Sequence, residues 1–416
     1  MRVIIVTQTF PPRFGGMQSV MSALAKNFSK TIPTFVLPDH NIPESHPIRS
    51  YKIKFNFSKF PKFLRPLIKK IKLKKILKKD DIIICDSWKS LNAIPNTNNK
   101  VVMLAHGQEY LSKSKKKKIN KLIKKIKLKK ILKKDDIIIC DSWKSLNAIP
   151  NTNNKVVMLA HGQEYLSKSK KKKINKLLKK VSIVISSSNY TKNIFLNICN
   201  FPETKIHVIP PTYEIENDKI KIQKKSSNKK DLILTTISRL EERKGFLPVI
   251  KAFKYLIKKK LIKNFIWSIY GDGYLKKKLQ EQINCYKLNK YIKIKNFVNE
   301  KSKEKILMNS DLFIMPSYKV ENSIEGFGIS YIEAAKFSVP SISGVDGGVL
   351  DAVINNETGW NVNTLNEKEL ENVIFEAINN QTKRNRLGKN ARQSFIKKFA
   401  SDKVFRKFMA AISNSS

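Results

Sequence analysis

The chain has 416 residues, 41% of them apolar, and a formal charge of +49. That length exceeds one ordinary core and suits two α/β domains of roughly 150 to 200 residues each. Four cysteines without C-x-x-C spacing argue against a disulfide framework and a zinc site and point to a reducing, cytosolic compartment, while lysines spread along the whole chain without a binding module argue against nucleic acid as the partner.

Met1 to Thr9 is apolar too briefly for a signal peptide, and no 18-residue apolar run follows, so the chain is expected to be neither exported nor membrane-spanning. Val3 to Thr7 reads as a strand that runs into Pro11-Pro12-Arg13-Phe14-Gly15-Gly16. A helix follows, with Met17, Val20, Met21, Leu24 and Phe28 on one face. Gly15 and Gly16 would let the backbone approach a bound group, and the helix start offers N–H groups to an anion such as a diphosphate; a plain turn is the other reading. Phe63, Leu64, Leu67, Ile68 and Ile71 share a helical face beside many lysines, though Pro66 interrupts it. Two readings stand for that face: peripheral contact with an anionic membrane at its inner surface, each nearby Lys adding about 1 kcal/mol, or a solvated helix packed on a sheet.

Residues 67–121 recur unchanged at 122–176, an offset of 55 that maps Cys85 on Cys140, Trp88 on Trp143 and His106 on His161. Solenoid repeats drift at the surface, whereas here even the Lys and Asn runs are identical, so a recent tandem duplication or an error of assembly fits better than stacking. One copy already reads as helix, strand (Ile82 to Asp86), short helix and strand (Lys100 to Ala105). A single copy, in a chain of 416 − 55 = 361 residues, completes a Rossmann-like half; two leave a surplus βαβ unit. The second copy runs directly into the strand Val181 to Ile185, which favours His161 over His106 for the native position, with a hybrid of both copies also open.

Ala160-His161-Gly162-Gln163-Glu164 falls at a strand end, where ligands of open α/β sheets gather, although a lone His is more often structural. The runs Ile183 to Lys192 and Lys205 to Pro211 follow. Beyond a polar connector, Leu232 to Arg239 reads as the first strand of a second domain, and Phe246, Val249, Ile250, Phe253 and Ile257 as a helix stripe. Arg239 and Lys244 stand between them, as two cations for a diphosphate or as solvated loop charges. Phe265 to Tyr270 ends in Gly271-Asp272-Gly273, and Tyr291 to Phe297 is a further strand. Ser310 to Ser317 is another, followed by Glu325-Gly326-Phe327-Gly328 and a helix that carries Glu333 one or two turns in. A Gly-rich loop feeding a helix start can cradle phosphates, and flanking carboxylates accept hydrogen bonds from sugar and ribose hydroxyls; a surface Glu pair is the plain alternative.

The ordered series Thr7 to Gly16, His161-Gly162-Gln163-Glu164, Ser238-Arg239 with Lys244-Gly245, Gly271-Asp272-Gly273 and Glu325 with Glu333 resembles family 4 of the retaining GT-B glycosyltransferases over nearly the whole chain, the repeated block excepted. The resemblance implies two Rossmann-like domains facing a cleft, and a metal-independent retaining hexosyltransferase. No cofactor is implied beyond a nucleotide-diphosphate sugar as donor substrate. It further implies that Arg239 and Lys244 bind donor phosphates and that Glu333 contacts the ribose. Glu325 and the backbone of Gly326, Phe327 and Gly328 would hold the sugar, Gly15 and Gly16 would lie near the diphosphate, and His161, or its twin His106, would sit across the cleft. The chain departs from the family pattern at Gly347-Gly348-Val349-Leu350-Asp351, which lacks a usual Pro, and at Asp346.

These expectations divide the chain into an N-terminal domain (1–213) containing both copies, a connector (214–230), a nucleotide-sugar domain (231–395) and a C-terminal helix (396–416) that returns to the first domain. The expected function is sugar transfer to a glycan or lipid-linked acceptor in surface polysaccharide or glycolipid synthesis. Two other readings predict different behaviour. A basic membrane- or polyanion-binding protein with a degenerate site would show salt-sensitive association only, and a nucleotide-sugar epimerase of this architecture would turn over without an acceptor.

Overall fold

The computed structural model describes residues 3–7, 25–30, 32–38, 52–53, 61, 64–85, 90, 93–95, 97, 99–105, 132–133, 136–212 and 231–413. Gly15, Gly16, His106 and the whole of the expected connector (214–230) lie outside them. Among the described residues every pairing between strands is parallel, and the strands form two sheets. Parallel strands are covered on both faces, which is why they read as unbroken apolar runs such as Val3–Val6 and Leu312–Met315, buried at every position.

The first sheet contains β1 (Val3–Val6), β2 (Thr34–Leu37), β3 (Lys52–Ile53), β4 (Ile82–Cys85), β5 (Lys100–Ala105), β6 (Ile137–Cys140), β7 (Lys155–Ala160), β8 (Ile183–Ser186) and β9 (Ile206–Val208), in the order β3-β2-β1-β4-β5-β6-β7-β8-β9. Both copies of the repeat therefore lie inside the sheet, β4 and β5 from the first, β6 and β7 from the second. They fold alike down to single bonds. Asp81 Oδ2 accepts from Lys78 N at 2.7 Å and Asp136 Oδ2 from Lys133 N at 2.9 Å, while Asn99 and Asn154 each donate to the carbonyl of that Asp at 3.0 Å. Within each copy the strands pair over four residues; between the copies only Leu104 with Ile139 and Ala105 with Cys140 are paired.

Helix α1 (Arg65–Ile76) starts with Pro66 in its first turn, where a missing N–H costs nothing. It packs on the sheet through Leu73, and its buried Lys69 donates to the carbonyls of Thr7 and Leu37, both at 3.0 Å, at the carboxyl ends of β1 and β2. Leu67 and Ile71 stay more than half exposed among the lysines. No helix of the described residues is long and apolar enough to cross a membrane. Helices α2 (Lys171–Leu178) and α3 (Asn189–Ile198) follow the second copy.

The second sheet has the order β12-β11-β10-β13-β14-β15, from β10 (Leu232–Ile237), β11 (Phe265–Tyr270), β12 (Ile292–Lys295), β13 (Leu312–Met315), β14 (Ser341–Ser343) and β15 (Gly359–Asn361). Around it run α4 (Phe246–Lys258), α5 (Lys276–Cys285), α6 (Glu300–Met308), α7 (Ile329–Lys336), α8 (Val349–Ala352), α9 (Glu367–Asn379) and α10 (Gln381–Ser394). The stripe Phe246, Val249, Ile250 and Phe253 is buried on this sheet, with Phe253 stacked 4.9 Å from Phe265 and 5.4 Å from Trp267; such ring pairs add about 0.5–1.5 kcal/mol each beyond their burial.

After a π-helical turn at Phe395–Phe399, α11 (Ser401–Ser413) lies against the first domain. Val404, Ala411 and Ile412 share a core with Val3, Ile5, Ile84 and Val157, and Lys155 Nζ donates to the Ile412 carbonyl at 2.8 Å. All four thiols are free, three of them buried, and burial pushes Cys199 up to about 12, so it stays protonated and inert.

Candidate functional site

The carboxyl ends of both sheets face each other, and the loop before α7 crosses from one to the other. Gly326 sits so close to the first domain that a Cβ there would lie 2.0 Å from the His161 carbonyl oxygen. Gly328 caps α7 at φ +91°, a left-handed conformation that a side chain rarely adopts. Phe327 turns away into the core, edge-on to Phe399 at 5.7 Å, so only its backbone faces the site.

Across the contact, Ser188 caps α3 by accepting from Thr191 N and donates its own hydroxyl to the Gly326 carbonyl at 2.7 Å. Gln163 Nε2 donates to the Ile324 carbonyl at 2.8 Å. Asp351 accepts from Asn189 N at 2.6 Å and from its amide, so a carboxylate of the second domain sits on the amino end of α3, the end that attracts negative charge. The departures from the family pattern fit here: Leu350, where a Pro is usual, is half exposed, and Asp346 accepts from Lys319 N at 2.9 Å.

His161 closes the carboxyl end of β7, its N–H donating to Glu164 Oε1 at 2.8 Å. Its imidazole is exposed, and Nε2 lies 2.8 Å from the Asp141 carbonyl. A carbonyl only accepts, so Nε2 carries a proton and donates it there.

On the other wall, a short 3₁₀ turn at Glu242–Lys244 aims two neighbouring cations inward. Lys244 Nζ donates to Glu325 Oε2 at 2.5 Å and Arg243 Nη1 to the same oxygen at 2.7 Å; all three groups are nearly buried. Burial pulls the Lys244 ammonium below its ordinary range, with Glu325 opposing the shift. Burial also pushes the Glu325 carboxyl up, but Lys244 and Arg243 outweigh it and hold the group below the usual carboxylate range, so the cluster is ionised. Arg243 Nε faces Glu241 Oε2 at 3.2 Å without hydrogen-bond alignment, a coulombic contact only.

The predicted residues thus fall in three places. Lys244, Glu325 and the backbone of Gly326 to Gly328 come together. Arg239 does not join them: it is 71% exposed and pairs with Glu241 at 2.8 Å. Glu333 lies buried in α7 and receives Lys303 Nζ of α6 at 2.6 Å. Arg243, Ser188 and Lys303 were not among the expected residues. A signal existed for Arg243, whose place beside Lys244 in Arg-Leu-Glu-Glu-Arg-Lys offers a second cation to the same turn; Ser188 and Lys303 meet partners 138 and 30 residues away, which no local pattern shows. Among the described residues no group of His, Cys, Asp and Glu could hold a metal ion.

Residues 217–394 match the family model described as glycosyl transferases group 1. A poly(ribitol-phosphate) alpha-N-acetylglucosaminyltransferase of Staphylococcus aureus (strain COL) is 26% identical over 337 residues, covering 76% of this chain and 62% of its own length. A capsular polysaccharide biosynthesis glycosyltransferase, CapM, of Staphylococcus aureus is 24% identical over 195 residues, 46% of this chain and 49% of the relative. The chain thus spans less than two thirds of the curated relatives it matches. The crystal structure of Anabaena Alr3699/HepE in complex with UDP and glucose superposes with a TM-score of 0.64 at 16% identity, covering all of both chains. The fold is GT-B.

Proposed function

We propose that this GT-B chain, with its group 1 glycosyl transferase domain, moves a sugar from a nucleotide-diphosphate donor to a glycan or lipid-linked acceptor in surface polysaccharide or glycolipid synthesis, with retention at the anomeric carbon. The observation that carries the reading is the Glu325 carboxylate clamped by Lys244 and Arg243 beside the Gly326 loop, against the first domain. A phosphate oxygen would meet Lys244 as Glu325 Oε2 does, so donor binding exchanges one anion for another at the same ammonium. Glu325, released, then accepts from sugar hydroxyls.

As the bond between the anomeric carbon and the phosphate oxygen breaks, negative charge grows on the leaving diphosphate. Lys244 and Arg243 are held in place against that charge, and a fixed cation of this kind carries much of a rate enhancement without a metal. Arg239, exposed and paired with Glu241, swings in as a third contact, and the acceptor hydroxyl attacks from the face the diphosphate leaves, passing its proton to the departing phosphate oxygen. Glu333 with Lys303 offers the acceptor and donor groups that ribose hydroxyls need. The complex of the Anabaena neighbour with UDP and glucose supports a uridine donor, and the similarity to staphylococcal poly(ribitol-phosphate) and capsular polysaccharide transferases supports a surface polymer as acceptor.

The test is donor consumption with UDP-sugars, with and without polysaccharide and lipid-linked acceptors, reading the anomeric configuration of the product by NMR. Acceptor-dependent release of UDP with retention is expected. Isomerised donor without acceptor would mean an epimerase, and salt-sensitive lipid or polyanion association with no donor turnover would mean a binding protein.

A further inference from the structure

A cavity of about 730 Å³ opens on the second domain beside the site, between α4, α5 and α9. Leu247 and Pro248, which begin α4 just after the Lys244-Gly245 turn, form part of its wall, and so does Tyr318, whose N–H donates to the Arg243 carbonyl at 2.9 Å. The wall is built by helical spacing. Lys251, Lys254, Tyr255 and Lys258 stand at i, i+3, i+4 and i+7, the face of α4 opposite its buried stripe, and Lys278 and Tyr286 stand eight residues apart along α5 and just past it. The two faces touch where Lys254 Nζ lies 3.9 Å over the Tyr286 ring.

Two carboxylates, Glu367 and Glu371 of α9, line the same cavity, yet none of the four ammoniums forms an ion pair with them or with any other described residue. Burial and the neighbouring Glu367 push the Glu371 carboxyl up. The wall therefore holds cations without a carboxylate partner, one of them resting on Tyr286, separate carboxylates, and one exposed aromatic ring, Tyr255. A uniformly charged backbone would meet Glu367 and Glu371 unfavourably. A chain that carries one anionic group per unit between hydroxyl-rich rings finds a partner for each part: ammonium for anion, carboxylate for hydroxyl, tyrosine for the apolar face of a ring.

We propose that this cavity binds an anionic glycan chain, one bearing uronate or phosphate groups, and so holds the polymer portion of an acceptor or product away from the reacting end. The proposal rests on the sugar-transfer reading for its purpose but not for its test.

The full chain is titrated with a labelled polygalacturonate oligomer, a phosphodiester-linked polyol oligomer, neutral dextran, and single-stranded DNA of equal charge. Binding of one or both anionic glycans, at least tenfold tighter than dextran and DNA, is expected; which of the two binds identifies the anion. The quadruple variant Lys251→Gln, Lys254→Gln, Lys258→Gln, Lys278→Gln should weaken it at least tenfold. The charge-matched quadruple Lys389→Gln, Lys397→Gln, Lys398→Gln, Lys407→Gln should change it less than twofold, and Tyr255→Ala with Tyr286→Ala should weaken it without altering charge. Equal loss in both quadruples, DNA binding as tight as glycan, or indifference to the tyrosines would overturn the proposal in favour of plain ion exchange. UDP-sugar affinity is read in parallel: a parent chain that binds glycan but no nucleotide sugar would remove the transferase reading and leave the glycan site standing.

Discussion

Gly326→Ala separates closure of the two domains from the chemistry of either one. Gly326 has no left-handed φ, so its own backbone accepts alanine. What a Cβ would meet is the His161 carbonyl oxygen at 2.0 Å, its carbon at 3.2 Å and Thr191 Oγ1 at 3.9 Å, all in the other domain. Ordinary contact begins near 3.4 Å, so the walls must part by 3.4 − 2.0 = 1.4 Å. That gap weakens the Ser188, Gln163 and Asn189 bonds to the second domain together, and at about 1 kcal/mol net for each the closed population drops about 100-fold. A misplacement of about 1 Å costs a similar 10²-fold in rate. We expect UDP release in the presence of acceptor to fall about 100-fold. UDP-sugar affinity by calorimetry should stay within about threefold, because Lys244, Arg243, Glu325 and Glu333 all belong to the second domain. Turnover within threefold of the parent, or an affinity loss as large as the turnover loss, would refute the reasoning.

Excising residues 67–121 or 122–176 yields one and the same 361-residue chain. Strands in a sheet lie about 4.8 Å apart, so losing the two strands of one copy brings β1 about 10 Å nearer to the histidine-bearing strand. The Gly15-Gly16 segment, expected from the sequence to lie near the diphosphate, moves with β1; a helix start on an anion is worth up to about 2 kcal/mol, so kcat/KM should rise up to about 30-fold, and a folded 361-residue chain of unchanged kcat/KM would contradict this. Lys244→Met should lower unfolding free energy by about 3 kcal/mol in urea titrations, the low end for breaking a buried pair, since Arg243 stays on Glu325; a loss under 1 kcal/mol would mean the pair is not buried in solution. Because Glu325 has its carboxyl held below the ordinary 4.5, it contributes stability that is fully present above that pH and is lost as pH falls through the folded-state value. Thermal midpoints of the parent should therefore fall more steeply below pH 4.5 than those of Glu325→Gln, and parallel acid limbs would exclude the contribution.

Much of the frame was legible because parallel strands and amphipathic helices write their burial into local pattern. Leu232–Ile237, Phe265–Tyr270 and the stripe from Phe246 to Phe253 are where the alternation of apolar runs and helical spacing puts them. Boundaries drifted where polarity changes slowly: the strand expected from Val181 begins at Ile183, and the one expected over 291–297 is Ile292–Lys295. In the site, sequence brought Lys244 and Glu325 to notice but paired Lys244 with Arg239. The 3₁₀ turn decides otherwise, since at three residues per turn Arg243 and Lys244 point inward and Arg239, before the turn, points out. Placement of the repeat was beyond local reasoning, because identical residues carry identical preferences and only the sheet order tells one copy from the other.

The seam between β5 and β6 gives the repeated chain an unusual freedom. Since the two copies are chemically the same, β1 can take its neighbour from either one, and β8 likewise. Expelling one 55-residue copy as a loop breaks the two residue pairs of the seam and the ladder within that copy, then rebuilds the shorter sheet with every partner it needs. Closing a loop of that length costs about 3.5 kcal/mol more than closing none, by (3/2)RT ln n. To that is added the lost burial of the expelled copy, Trp143, Leu146 and Met158 among its core residues, so the seven-stranded arrangement is a register open to this sequence at a cost set mainly by packing, and a lysine-directed protease that cuts an expelled loop is the means of detecting it.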